Sequence, residues 1–144
     1  MSKFLGFVAA IAIGLLVWVA VATLGNFVLR AAIPSYRAEE VAVSFSLIAQ
    51  LGRLLLGVLS TAAAAAVTVV MRRGRTGASL ALGCVLLALF VPVHVALWHK
   101  FPVWYHLFFL ASLPLGAIVV GRLVASRRGA AFPPAQPPGG QPER

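Results

Sequence analysis

Four long stretches without a charged side chain set the strongest limit on what this sequence can fold into. They cover residues 4–29, 54–71, 76–99 and 101–121. Each has about 18 residues or more, the length that an α-helix needs to cross a hydrocarbon layer ~30 Å thick. Hydrophobic residues make up 61% of the chain and charged residues only 10%, and a soluble domain cannot bury that much apolar surface. The sequence therefore predicts an all-α integral membrane protein with four transmembrane helices in a compact bundle.

The helices are expected to form one membrane domain over residues 1–128, with spans near 4–29, 47–71, 77–99 and 103–124. Glu39 and Glu40 suit the first turn of a helix, because the helix dipole favours negative charge there. We therefore expect one long helix from Glu39 to Met71, with its first turns outside the hydrocarbon. Residues 129–144 are rich in proline and glycine, so they are predicted to be a disordered tail.

The first apolar stretch also has features of a signal peptide. Lys3 provides a short basic segment, and Ala20-Val21-Ala22 resembles a small-residue cleavage site. The stretch is longer than the roughly 7–15 apolar residues of a signal peptide, so we expect it to be retained as a membrane anchor. Cleavage would leave three spanning helices.

Basic residues cluster on one side of the predicted helices. Loops rich in lysine and arginine stay in the cytoplasm, and Lys3 precedes the first helix. The arginines after the second and fourth helices are expected to contact anionic lipid; they are Arg72, Arg73, Arg75, Arg127 and Arg128. This pattern predicts an inner (plasma) membrane protein with both termini in the cytoplasm, and the abundance of arginine, alanine and glycine is typical of a bacterial sequence. The net charge of +9 thus belongs to membrane loops and does not indicate a nucleic-acid partner.

The stretch LWHKFPVWYH, residues 97–106, connects the third and fourth helices on the opposite, outer side. Tryptophan and tyrosine favour the membrane interface, where the ring lies in lipid and its polar edge reaches the headgroups. Trp98, Trp104 and Tyr105 are therefore predicted to form an interfacial belt.

All three histidines, His94, His99 and His106, lie within thirteen residues around the same turn. A tight turn would bring His94 and His106 to similar depth on facing helices. Imidazole is a common ligand of transition metals, so one hypothesis is a metal site that uses all three, or a haem between His94 and His106. No HxxxH, HExxH or cysteine-containing spacing supports it, and histidine also occurs at interfaces without a ligand. We expect no cofactor, with metal or haem as the alternative.

Arg53 is the other unusual residue. It lies eighteen residues before Met71, and at ~1.5 Å per residue this places it about 27 Å along the helix, near the outer edge of the hydrocarbon. Its side chain can extend to the lipid headgroups. Alternatively it pairs with Glu39 or Glu40, or it attracts an anion to the mouth of a cavity. These three residues are the candidate functional charges.

The functional prediction follows from what the predicted spans lack. The chain has no aspartate and no carboxylate inside a span, so neither acid–base catalysis nor an ion-coupled transporter is indicated. We expect an accessory, assembly or interaction component that is not an enzyme. Its expected partners are the lipid bilayer and a membrane protein or a second copy of the chain. The alternatives are a small oligomeric transporter or channel, and a metal- or haem-binding membrane protein.

Overall fold

The computed structural model describes residues 2–131, and every regular element in that range is an α-helix. The helices are α1 Ser2–Ala32, α2 Tyr36–Ala42, α3 Leu47–Met71, α4 Gly77–Ala96 and α5 Val103–Ala131. All except the short α2 are long and apolar enough to cross a membrane. The predicted all-α class and the four helices of spanning length are thus confirmed for this part of the chain. The orientation of the termini stays a prediction.

The expectation of one helix from Glu39 to Met71 is wrong, because the chain leaves the helical conformation after α2. Val43 has the left-handed values φ 49° and ψ 41° and ends α2. Ser46 is extended and caps α3, and its Oγ accepts a hydrogen bond from the Ala49 N–H at 3.4 Å. Serine is a favoured N-cap because its side chain satisfies a free N–H of the first turn. The break turns α2 back toward α1 and α3.

The first three residues of the predicted disordered tail are helical instead. Helix α5 continues through Ala131, so residues 129–131 belong to a helix. The rest of the predicted disordered tail, residues 132–144, lies outside the described residues. Helix α4 ends at Ala96, three residues before the predicted end of its span.

Helix α3 lies at the centre and packs most extensively against α1 and α5. Small residues permit this close approach, which is the main route to helix association in lipid. Ala10 of α1 is fully buried, and its carbonyl accepts a hydrogen bond from Thr68 Oγ1 at 3.4 Å. Trp18 Nε1 donates to Thr61 Oγ1 at 3.2 Å further along the same interface. Two hydrogen bonds therefore join α1 and α3.

Helices α4 and α5 approach closely through another set of small residues. Ser79 Oγ donates to the Ala117 carbonyl at 2.5 Å. A Cβ atom added to Gly83 would lie 2.9 Å from Ala117 Cβ and 3.0 Å from Pro114 Cα. Both neighbours are rigid, so only glycine fits at position 83. This packing fixes the register of the two helices near the start of α4.

Candidate binding site around Arg53

Buried polar and aromatic side chains collect at the end of the molecule that carries α2 and the α4–α5 turn, here called the α2 end. Arg53 lies in its middle, on the second turn of α3. Its Nη1 donates to the Tyr36 hydroxyl at 3.1 Å, and its Cζ lies 4.6 Å from the centre of the Phe45 ring. Within residues 2–131, Arg53 Nε is enclosed and has no hydrogen-bond partner. The guanidinium is thus held by neutral groups.

The two nearby carboxylates are bound elsewhere, so the alternative in which Arg53 pairs with Glu39 or Glu40 is not formed. Glu40 accepts a hydrogen bond from Arg30 Nε at 2.8 Å. Glu39 accepts from Ser35 Oγ at 2.7 Å, from the Ser46 N–H at 3.0 Å and from Ser46 Oγ at 3.1 Å. The hydrogen bond from Ser35, and then that from the Ser46 backbone, lower the pKa of Glu39 below its usual value. Glu39 therefore ties the start of α2 to the start of α3.

A chain of hydrogen bonds leads from Arg53 across three helices. Tyr36 is fully buried, and its hydroxyl accepts from Arg53 and donates to Asn26 Oδ1 at 3.0 Å. Asn26 Nδ2 in turn donates to the Ala22 carbonyl at 3.0 Å. Tyr36 was missed by the sequence reasoning, because residues from three separate elements form no local spacing motif.

His94 and His106 meet as the sequence predicted, one from α4 and one from α5. Their Nδ1 atoms are 2.7 Å apart, a distance at which one Nδ1–H donates and the other Nδ1 accepts. Both rings are buried, at 7% and 0% exposure. The Trp98 ring stacks on His106 with a centroid distance of 4.7 Å, and Phe109 packs on His94 at 4.7 Å. His106 Nε2 is enclosed and has no hydrogen-bond partner in the described part of the chain.

His99 does not join this pair. It is exposed in the α4–α5 turn, and between Ser2 and Ala131 no three His, Cys, Asp or Glu side chains are arranged to hold a metal ion. Two imidazole nitrogens on one tetrahedral zinc would lie about 3.3 Å apart, given Zn–N bonds of about 2.0 Å. The observed 2.7 Å separation of the Nδ1 atoms is that of a direct hydrogen bond.

Two small cavities flank Arg53. The first, of about 90 Å³, is lined by side chains that include Trp18, Asn26 and Arg53. The second, of about 70 Å³, is lined by Arg53, His94 and His106 among others; we call it the histidine cavity. A single water needs roughly 10–15 Å³ on this scale. Each cavity therefore has room for a few waters or for a small polar group.

Tyr105 separates the two cavities rather than forming part of the interfacial belt. It lines both of them, together with Arg53, Phe90 and Phe109, and it is only 4% exposed. The belt prediction is wrong for Tyr105 because one residue turns a helix by about 100°, so Tyr105 lies on a different face of α5 from its exposed neighbour Trp104. Trp98 and Trp104 are 41% and 44% exposed, and their interfacial role stays a prediction.

The opposite end of the molecule is basic. A depression there is lined by Lys3, Met71, Arg72, Arg73 and Arg75. Arg128 also belongs to this end, since its Nη1 donates to the Val70 carbonyl at 3.1 Å, whereas Arg127 is exposed. The expected contact of these arginines with anionic lipid stays a prediction.

Comparison of the chain with models of protein families, with characterised proteins and with solved structures gives no significant match. The class of protein is therefore defined by the fold alone. The chain is a small helical protein with four helices able to cross a membrane, and a buried polar site lies at its α2 end.

Proposed function

We propose that this protein is a non-catalytic component of the bacterial inner membrane that acts by binding, as an accessory or assembly subunit. Both of its termini lie in the cytoplasm, which places the α2 end on the outer side. The site that binds is the pair of cavities around Arg53. The observation that carries the proposal is the Arg53 guanidinium, which is held by Tyr36 and Phe45 and not by a carboxylate.

The energetics of Arg53 favour an anionic ligand. Arginine keeps its charge in proteins, and enclosing a charge without a partner costs several kcal/mol. A cation–π contact returns only about 0.5–2 kcal/mol, and a hydrogen bond from the charged guanidinium to a neutral hydroxyl returns about 1.5–3 kcal/mol. An oxyanion in the cavity would offset the remaining cost, and it would provide the acceptor that Arg53 Nε lacks among the described residues.

The shape of the site limits what can enter it. The guanidinium presents its N–H groups as a planar fork that matches a carboxylate or phosphate. Cavities of about 90 and 70 Å³ accept only a few non-hydrogen atoms. The ligand is thus a small free anion or the anionic group of a larger amphiphile. Both share the same chemistry at Arg53.

The hydroxyl groups of Ser60 in α3 and Ser112 in α5 favour a binding role over catalysis. Ser60 Oγ donates to the Leu56 carbonyl at 2.8 Å, and Ser112 Oγ donates to the Phe109 carbonyl at 2.7 Å. In the part of the chain that the structure describes, neither serine is hydrogen-bonded to a histidine. An activated nucleophile needs such a base within hydrogen-bond reach.

The proposal is tested by thermal unfolding of the full chain in mild detergent. Sodium acetate and sodium phosphate are compared with sodium chloride at equal ionic strength, for the wild type, Arg53→Gln and Arg37→Gln. Arg37 is an exposed arginine of α2 and serves as the matched control. We expect acetate or phosphate to stabilise the wild type and Arg37→Gln, by about 1.4 kcal/mol at a concentration ten times the Kd. An equal shift in Arg53→Gln would contradict the proposal.

A metal or haem at the histidine pair is a second candidate, favoured by the meeting of His94 and His106 at a buried position. Metal analysis and an absorbance spectrum of the purified wild type, beside the His94→Ala/His106→Ala variant, test it. Stoichiometric metal or a haem absorbance band that is lost in the variant would support this candidate. Uptake of acetate into liposomes containing the protein would instead indicate a transporter.

A further inference from the structure

We infer that the His94–His106 pair takes up one proton when an anion occupies the histidine cavity, so that the site loads a monocarboxylic acid as an anion and a proton. The inference rests on the proposed binding of an anion at Arg53. It adds the class of ligand and the group that holds the proton.

The geometry of the pair allows one additional proton and no more. In the neutral pair one ring donates through Nδ1–H, and the Nε2 of that ring carries a lone pair. The proton of the carboxylic acid, carried by hydronium, adds to this Nε2: the O–H bond of the acid breaks, an N–H bond forms, and the carboxylate remains as the anion. The hydrogen bond between the Nδ1 atoms stays intact, and the charge is shared by two rings. A second proton would put hydrogens on both Nδ1 atoms, which face each other at 2.7 Å.

The unpartnered Nε2 of His106 gains a role in the protonated pair. Whichever ring donates at first, both Nε2 atoms carry a hydrogen once the extra proton is bound. His106 lines the histidine cavity, and its Nε2 is enclosed. A carboxylate in the cavity would give this Nε2–H the acceptor that it lacks among the described residues, and Arg53, which lines the same cavity, would be the second donor.

The charges around the pair couple the proton to the anion. Arg53 of α3 and Tyr105 of α5 line the same cavity, and Tyr36 of α2 contacts Arg53. The other lining residues are apolar; Glu39 and Glu40, the acidic residues in the described range, bond to serines and Arg30. A protonated pair alone would put a second positive charge beside Arg53, which the apolar surroundings oppose. A monovalent anion offsets the added charge.

Coupling of this kind is reciprocal. If an anion raises the affinity of the pair for a proton, a proton raises the affinity of the site for the anion by the same factor. A monocarboxylate matches one arginine and one protonated pair. A phosphate dianion would leave one negative charge without a partner in the cavity.

Calorimetric titration of acetate into the full chain, in two buffers of different ionisation enthalpy, tests the inference. We expect about one proton taken up per acetate, and an affinity that rises toward tenfold for each unit of decreasing pH around neutrality. His94→Asn/His106→Asn is expected to bind acetate about tenfold more weakly, without proton uptake and with an affinity independent of pH. His99→Asn, which alters the exposed histidine of the turn, is the matched control and should behave like the wild type.

The outcomes separate this inference from the proposed function. Acetate binding that depends on Arg53 but takes up no proton would overturn the inference and leave the proposed function standing. If neither acetate nor phosphate gives a heat of binding with the wild type, both the inference and the proposed function are overturned. Tighter binding of phosphate than of acetate would overturn the ligand class.

A second measurement needs no variant. Nitrogen-15 spectra of the histidine-labelled wild type should show one ring protonated at Nδ1 and one at Nε2, and acetate should convert the pair to one with both Nε2 atoms protonated. An unchanged spectrum at saturating acetate would overturn the assignment of the proton to this pair.

Discussion

The hydrogen bond from Arg53 Nη1 to the Tyr36 hydroxyl, at 3.1 Å, joins the central helix α3 to the short helix α2. The Tyr36 hydroxyl in turn donates a hydrogen bond to Asn26 Oδ1 of α1. The partly buried Arg53 guanidinium is thereby fixed by a neutral partner from α2, which is itself held by α1. The site is consequently held rigidly on the side of Tyr36, and its other side borders a cavity.

Replacing Tyr36 by phenylalanine should destabilise the protein by about 1–3 kcal/mol, because it leaves a donor on Arg53 and an acceptor on Asn26, both partly buried, without this partner. Reversible unfolding in detergent measures the effect. A double-mutant cycle with Asn26→Ala isolates the hydrogen bond, and the two changes should be non-additive by about 0.5 kcal/mol or more. Strict additivity would show that the Tyr36–Asn26 bond does not contribute.

Acid should loosen the junction between α2 and α3. Hydrogen bonds from Ser35 and Ser46 lower the pKa of Glu39 in the folded state, so their stabilising contribution is present above the unfolded pKa of the carboxyl and is lost as the pH falls through the folded pKa. Hydrogen exchange of residues 43–47, corrected for the intrinsic rate, should increase between about pH 7 and about pH 3. Glu39→Gln should exchange faster at neutral pH and respond less to acid. The same acid response in both proteins would contradict this role of Glu39.

Two glycines of α4 should respond in opposite ways to alanine. Gly83→Ala should destabilise by about 1–3 kcal/mol, because its Cβ would lie 2.9 Å from Ala117 Cβ and 3.0 Å from Pro114 Cα. Gly77→Ala is the control, since no heavy atom lies within 4 Å of the added Cβ, and it should be neutral or stabilising by up to about 1 kcal/mol. Thermal unfolding of the two variants side by side checks the contrast. Equal effects would show that α4 and α5 are less closely packed than described.

The orientation in the membrane is tested with single cysteines in a Cys84→Ser background. Lys100→Cys lies in the α4–α5 turn and Arg73→Cys follows α3 at the basic end, and both positions are exposed. An impermeant maleimide added to right-side-out spheroplasts should label Lys100→Cys and spare Arg73→Cys until the membrane is opened. The reverse pattern would contradict the cytoplasmic placement of the termini.

The sequence was sufficient for the features that depend on local composition. The four helices of spanning length follow from uncharged runs, and the approach of His94 and His106 follows from the short turn between two such helices. Tyr105 was assigned to the interfacial belt from its residue type alone. In the structure, its neighbour Trp104 lies on the exposed face of the same helical turn, and Tyr105 does not. Its burial depends on which face of α5 meets Arg53, a property of tertiary packing.

The rest of the site depends on contacts that no local pattern encodes. The helix break at residues 43–46 uses Ser46 as a cap and the side chain of Glu39 from seven residues away. Tyr36 reaches both Asn26 and Arg53 only because this break turns α2 back onto the other helices. Arg53 was recognised as unusual by its depth, but its hydrogen bond to Tyr36 was not, since Tyr36 lies seventeen residues from Arg53 in sequence and Asn26 lies a further ten residues from Tyr36.

The central claim is that Arg53 binds an anion at the α2 end. Calorimetric titration of acetate into the wild type and into Arg53→Gln, with Arg37→Gln as control, tests it most directly. The account predicts saturable binding to the wild type and to Arg37→Gln, weakened about tenfold or more in Arg53→Gln because a charge-assisted hydrogen bond is lost. Binding of equal affinity to all three proteins, or to none of them, would contradict it.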